Sequence, residues 1–235
     1  MVRKPKPSGK KPGLRLKSRR APRTEIKKRY LIVTEGLRTE PLYFEGLRRT
    51  LGNSANFHLT IHPKRDSNGK WNSSPTAVVK KCAELKQRDL DDCREKGKHR
   101  DKIPYSRCFA VVDVDHWNTT SSNGSSTLRS AIANAERNGI SVVISNAKFE
   151  TWLLWHSESR ITCDSNQLAK KCEERRLLIG KEIPSSFPYA NYPSAAQNAD
   201  SQNRTSLNEI GKYPSTSLPR LLEEIGAMDL ASDKS

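Results

Sequence analysis

The chain has 235 residues, 34% hydrophobic and 29% charged, with a formal net charge of +16. That length holds one sizeable domain with a real core, and no apolar run approaches the ~20 residues that span a bilayer, which argues against a helical membrane protein. No apolar stretch follows the opening Met1-Val2-Arg3-Lys4-Pro5-Lys6, so a secretory signal is not expected and a cytoplasmic location is.

Residues 1–28 carry twelve Lys or Arg against Glu25 alone, a local +11, with prolines at 5, 7, 12 and 22. Such a segment buries too little apolar surface to offset its ordering entropy and is expected to be a disordered basic arm. It suits nucleic acid through counterion release, or is a solvated tail with no dedicated partner.

Tyr30-Leu31-Ile32-Val33 then reads as a buried strand, Thr34-Glu35-Gly36 as a tight turn, and Glu40 to Leu51 as a helix with Tyr43, Phe44 and Leu47 on its core face. Gly52-Asn53-Ser54 breaks that helix, and Phe57-His58-Leu59-Thr60-Ile61 alternates as a strand does. Ser74-Pro75 opens a long helix from about Thr76 to Lys96, with Ser74 as its cap. Cys108 to Val112 is a second buried strand, ending in Asp113-Val114-Asp115. A polar loop from Asn118 to Ser126 follows, either a closing flap or an ordinary connection.

Leu128 to Asn138 reads as a helix ended by Gly139, and Ile140 to Ser145 as another strand. A helix from Asn146 to His156 places Phe149, Trp152 and Leu153 in the core, and Trp155 is also assigned there rather than to a stacking platform. Beyond Cys163 the pattern weakens to a helix near Asn166 to Leu178, a loop from Gly180 to about Arg204, and a last helix starting at Pro214-Ser215-Thr216. Strands alternating with helices predict an α/β fold with a largely parallel sheet covered by helices. The expected division is a basic arm over 1–28, one domain over 29–226 and a short tail over 227–235.

Five cysteines, at 82, 93, 108, 163 and 172, never form Cys-x-x-Cys and are read as reduced structural thiols. Gly-Lys pairs, such as those at 9, 69, 180 and 211, lack the surrounding residues of a phosphate-binding loop, so an ATP-driven step needs another chain.

Chemistry is concentrated at strand ends. Glu35 follows the first strand and Asp113 and Asp115 follow another, at the sheet edge where α/β proteins collect ligands. Three carboxylates there form a hard, oxygen-rich site that suits Mg²⁺ or Mn²⁺. On a regular strand, residues two apart share a face, so both aspartates would reach one ion. Such an ion could orient a phosphodiester and stabilise its leaving oxygen, with Glu35 binding a second ion or moving a proton.

The strand with Glu35-Gly36 and the later Asp113-Val114-Asp115 resemble the two signatures of the Toprim domain, shared by topoisomerases, primases and old-type nucleases. More closely, Glu35-Gly36-x-x-Thr39-Glu40-Pro41-x-Tyr43-Phe44, Ser145-Asn146-x-x-Phe149-Glu150-x-Trp152-Leu153-Leu154 and Pro214-Ser215-Thr216 resemble the RloB-like family of bacterial defence proteins, in order over about residues 28–226. The resemblance implies a Toprim-like fold and a Mg²⁺-dependent (or Mn²⁺-dependent) nuclease centre. It also implies frequent pairing with a nearby-encoded ABC- or AAA-type ATPase in anti-phage defence of the abortive-infection kind. RNA, including transfer RNA, is the implied substrate ahead of DNA.

By that resemblance, Glu35 is the acid/base or metal-linked carboxylate, Asp113 and Asp115 are metal ligands, and Glu150 is a further acid beside them. The residue between the aspartates is often basic in such relatives, and here it is Val114. Arg38, Lys148 and His116 are therefore candidates for phosphate binding, each with the alternative of being merely exposed. Glu40 is a further candidate acid, or simply complements a helix dipole. Two other readings stay open: a non-catalytic scaffold that holds nucleic acid or an ATPase, and an enzyme of small nucleotides.

Overall fold

The computed structural model describes residues 28–52, 57–63, 72–95, 103–115, 117–118 and 126–232. The expected basic arm (but for Lys28), most of the 118–126 loop and His116 lie outside the described residues. Five strands form one sheet: β1 (Lys28–Thr34), β2 (Phe57–His62), β3 (Arg107–Asp113), β4 (Ser141–Asn146) and β5 (Ser215–Thr216). Their spatial order is β2-β1-β3-β4-β5, with β1 to β4 parallel and β5 antiparallel to β4. The protein is thus a mixed α/β fold.

Alternation along each strand divides the core into two layers. Tyr30 and Ile32 of β1, Phe109 and Val111 of β3, and Val143 of β4 face one side. Leu31, Val33, Cys108, Ala110, Val112, Val142 and Ile144 face the other. Both faces are buried, and so the strands read as continuous apolar runs. The second face is covered by α2 (Pro75–Arg94) through Val78, Val79 and Cys82 and by α3 (Thr127–Arg137) through Leu128, Ala131 and Ala135. The first face is covered by α1 (Thr39–Leu51), α4 (Glu150–Leu154), α5 (Leu168–Glu174), α6 (Tyr192–Asn203), α7 (Leu218–Glu224) and α8 (Ala227–Ser232).

The local signals act as expected at several boundaries. Ser74 caps α2, accepting from the Ala77 N–H at 3.4 Å with Pro75 in the first turn, and Ser126 caps α3 through Arg129 N–H at 3.2 Å. The C-terminal third departs from expectation. Tyr192–Asn203 is a helix rather than a loop, opened by Pro193 and buried through the small side chains of Ala195, Ala196 and Ala199. Ser215–Thr216 is a two-residue strand, and the helix begins only at Leu218, with Pro219 in its first turn. The expected helix over 146–156 contracts to Glu150–Leu154, and that near 166–178 to a 3₁₀ turn and Leu168–Glu174; Arg176, at φ 56°, follows the C-cap residue Arg175. Residues 227–232, expected as tail, form α8 with Ala227 buried. All five cysteines are free thiols. No described helix is long and apolar enough to cross a membrane.

One aromatic cluster fixes α1 against α4. Tyr43 meets the rings of Phe44, Phe149, Trp152, Phe187 and Tyr189, with centroids 5.5–6.1 Å apart. His156 is 3.1 Å from the Trp152 carbonyl through Nδ1, and a carbonyl only accepts, so Nε2 is left to accept from the Tyr43 hydroxyl at 3.2 Å. Burial holds this imidazole neutral, pushing it down to about 4. Glu40 lies one helical turn before Tyr43 and Glu150 two residues before Trp152, so the cluster that locks the helices also sets these two acids in place.

Candidate functional site

The chain runs from β1 to β2 on one side and then crosses to β3 on the other, so the order of strands reverses between β1 and β3. At such a switch point the connections leave in opposite directions and open a crevice at the strands' carboxyl ends. The residues after β1 and at the end of β3 are Glu35 and Asp113.

Glu35 extends the ladder by one bond, its N–H donating to the Val111 carbonyl at 2.9 Å. Its carboxylate accepts from the Asp113 N–H at 3.0 Å and from Trp117 Nε1 at 3.2 Å. Glu35 therefore ties the ends of β1 and β3 together. In the turn that follows, the Gly36 N–H donates to Glu40 at 2.9 Å, and Glu40 is buried. A Cβ on Gly36 would occupy the space of the Glu40 carboxyl group, so the glycine permits this contact.

Beyond β3, Val114 N–H donates to the Ser145 carbonyl at 2.9 Å and Asp115 N–H to the Ala147 carbonyl at 3.1 Å. Asp115 is off the strand, with φ at 31° in the left-handed region that aspartate tolerates better than most residues. Regular strand alternation therefore does not account for Asp115, although both aspartates line the same crevice. Val114 is buried among the apolar residues under α2 and α3.

Glu35, Glu40, Asp113, Asp115 and Glu150 all line one cavity of about 660 Å³, together with Arg38 and Lys148. Of the residues singled out from the sequence, only His116 is not among the described ones. The acids perturb one another. Burial, and then Glu40, Glu35 and Glu150, push Asp113 well above the usual carboxylate range, against a hydrogen bond from the Phe149 backbone. Glu40 is raised to about 7, chiefly by burial and further by Glu150 and Glu35, against the hydrogen bond from Gly36.

An all-carboxylate set whose charges cost this much suits a hard divalent cation. Among the described residues, however, no three acidic, histidine or cysteine side chains form a ready metal-ligand cluster, Glu35 accepts hydrogen bonds from Asp113 and Trp117, and Glu40 accepts from the turn. Mg²⁺ typically keeps several waters and takes one or two carboxylates. Asp113 and Asp115, with Glu150 nearby, fit that more open mode. Arg38 forms an exposed ion pair with Glu182 at 2.6 Å, a kind of contact worth little in stability.

A family model described as RloB-like protein matches residues 30–225. The chain belongs to the RloB-like family. No curated protein and no solved structure matches it. The match runs from within β1 to just past α7, so the sheet, but for the first two residues of β1, and every described acid of the cavity belong to the RloB-like part, and residues 1–29 precede it.

Sequence reasoning did not single out Ser73 or Lys181 as lining residues of this RloB-like cavity, or Trp117 as the anchor of Glu35. Lys181 stands in a Gly-Lys pair set aside for lacking a phosphate-loop pattern. A lysine in an aperiodic segment carries no local sign of the cavity it reaches, because α1, far earlier in the chain, supplies the opposite contacts.

Proposed function

We propose that this RloB-like protein is a divalent-metal-dependent phosphodiesterase acting on nucleic acid, with RNA, transfer RNA included, ahead of DNA. The observation that carries the reading is the convergence of five carboxylates on one cavity at the strand-order reversal, joined there by cationic side chains. Asp113 and Asp115 would hold Mg²⁺ or Mn²⁺, with Glu150 beside them. When bound, the ion would supply charge stabilisation to the phosphate and its leaving oxygen.

The chain's own residues have separable tasks. Glu35 holds the ends of β1 and β3 in register and so positions Asp113. Glu40, raised to about 7, keeps or releases a proton near neutrality, which suits proton transfer at the cavity wall. Lys148 lines the cavity and would meet phosphate charge. The basic arm adds nonspecific attraction to a polyanion, in a salt-dependent way. A role in anti-phage defence, and control by a partner ATPase, rest on the resemblance to defence proteins alone.

A second reading has one observation in its favour. The described residues offer no ready ligand cluster, and two of the acids accept backbone hydrogen bonds, Glu35 from Asp113 and Glu40 from Gly36, as suits a scaffold that holds nucleic acid or an ATPase without cutting. Incubating the purified chain with labelled transfer RNA, single-stranded RNA and plasmid DNA, in Mg²⁺, Mn²⁺ or EDTA, separates the two. Metal-dependent cleavage that Asp113→Ala abolishes while the fold is retained supports the nuclease. Salt-sensitive binding without cleavage, with or without the ATPase, supports the scaffold.

A further inference from the structure

The cations of the cavity are arranged differently from its acids. Arg38, Lys148 and Lys181 line it, and Arg38 is engaged by Glu182. Among the described residues Lys148 and Lys181 make no ion pair, although five carboxylates line the same cavity. A lysine has a long flexible stem, so each ammonium group can reach an anion that enters the cavity.

The support for Lys181 is specific. Ile179 and Glu182 exchange backbone hydrogen bonds of 2.9 and 3.1 Å across a tight turn, with Gly180 at φ 61°. The start of α1 holds this turn at two points: the Thr39 hydroxyl donates to the Lys181 carbonyl at 3.0 Å, and Arg38 pairs with Glu182. Leu37 and Ile179, two of the three exposed large apolar side chains among the described residues, belong to these two joined segments. A rim that combines a held lysine with exposed aliphatic surface suits a ligand having both phosphates and apolar sugar and base faces.

We infer that the turn at residues 179–182 is the substrate-side wall of the cavity, where Lys181, with Lys148 from the β4–α4 connection, grips phosphates of a nucleic-acid strand. This rests on the proposed nuclease reading and assigns the strand-holding role within it. The carboxylate floor repels a polyanion. The two lysines supply the opposing attraction at separate points, so the strand is held by phosphates beside the one that lies over the acids. Arg38 acts only through Glu182, by holding the turn.

Lysine footprinting tests this directly. The full chain, in EDTA and separately in Ca²⁺, is briefly acetylated with and without a short oligoribonucleotide, and each lysine is then read by peptide mass spectrometry. Severalfold protection of Lys148 and Lys181 in either condition, with Lys170 on α5 unchanged, is the expected result. Protection confined to the arm lysines in both conditions overturns the inference. In the cleavage assay, Lys181→Ala should raise KM with little change in kcat and reduce the salt slope by about one; an unchanged KM contradicts the assignment. The two readings fail separately. Protected lysines in a chain that cuts nothing would leave a strand-binding cavity without a nuclease. Asp113-dependent cutting with unprotected lysines would leave a nuclease whose strand enters elsewhere.

Discussion

Glu40 gives the sharpest thermodynamic prediction. Its carboxyl is raised from 4.5 to about 7, chiefly by burial. A carboxyl with a raised value keeps its proton in the fold after the unfolded chain has released it. The stability it contributes is therefore fully present below about 4.5 and is lost as pH rises through 7. Each unit of difference corresponds to about 1.4 kcal/mol, so the metal-free protein should be on the order of 3 kcal/mol less stable at pH 8 than at pH 4 through this group. At this chain length that is roughly 6–12 °C in melting temperature. Glu40→Gln keeps an oxygen that can accept from the Gly36 N–H and removes the titration. Thermal melts in EDTA, followed by circular dichroism, should show the wild type losing stability relative to the variant between these limits. Parallel curves for the two proteins would refute the reasoning, as would a wild type that gains on the variant with rising pH.

Asp113→Asn should raise the melting temperature of the metal-free protein at pH 8, with the gain shrinking as pH falls, because Asp113 is raised by burial and by Glu40, Glu35 and Glu150; differential scanning calorimetry at several pH values checks this. Tyr43→Phe removes the only donor to His156 Nε2 found among the described residues and should cost about 1–3 kcal/mol in urea denaturation, since a buried acceptor is left unsatisfied. Gly36→Ala should displace the Glu40 carboxyl from the turn, and its effect should fall on the pH dependence of the melting temperature as well as on its value. Mg²⁺ at millimolar concentration should stabilise the wild type more at pH 8 than at pH 5, because bound metal requires the carboxylates deprotonated; equal shifts at both would contradict binding at the acids.

The sheet and the acids were legible because their signals are local. Each main strand is an apolar run, the helices beside them have three- and four-residue spacing, and Glu35 and Asp113 simply follow where strands stop. Helix α6 was not, because its buried face is made of Ala195, Ala196 and Ala199 amid polar residues, and small side chains give almost no periodic contrast. Strand β5 was hidden because two residues carry no alternation; it exists through pairing with β4. Asp115 shows a subtler limit. Its place in the cavity comes from a bond to the Ala147 carbonyl and a left-handed backbone, so the strand argument that singles it out does not apply to it. Lys181 was invisible for the same long-range reason, its turn being held by Thr39 and Arg38 from more than a hundred residues earlier.

The central claim is that the acids of this RloB-like cavity make it a metal-dependent nuclease, and a metal-start experiment tests it most directly. Wild type and Asp113→Asn are each mixed with end-labelled transfer RNA in EDTA, excess Mg²⁺ or Mn²⁺ is added, and product is followed in time. The account predicts no product before metal, prompt cleavage by the wild type after it, and none by the variant despite equal RNA binding. Cleavage in EDTA, or the same rate from Asp113→Asn, would contradict it.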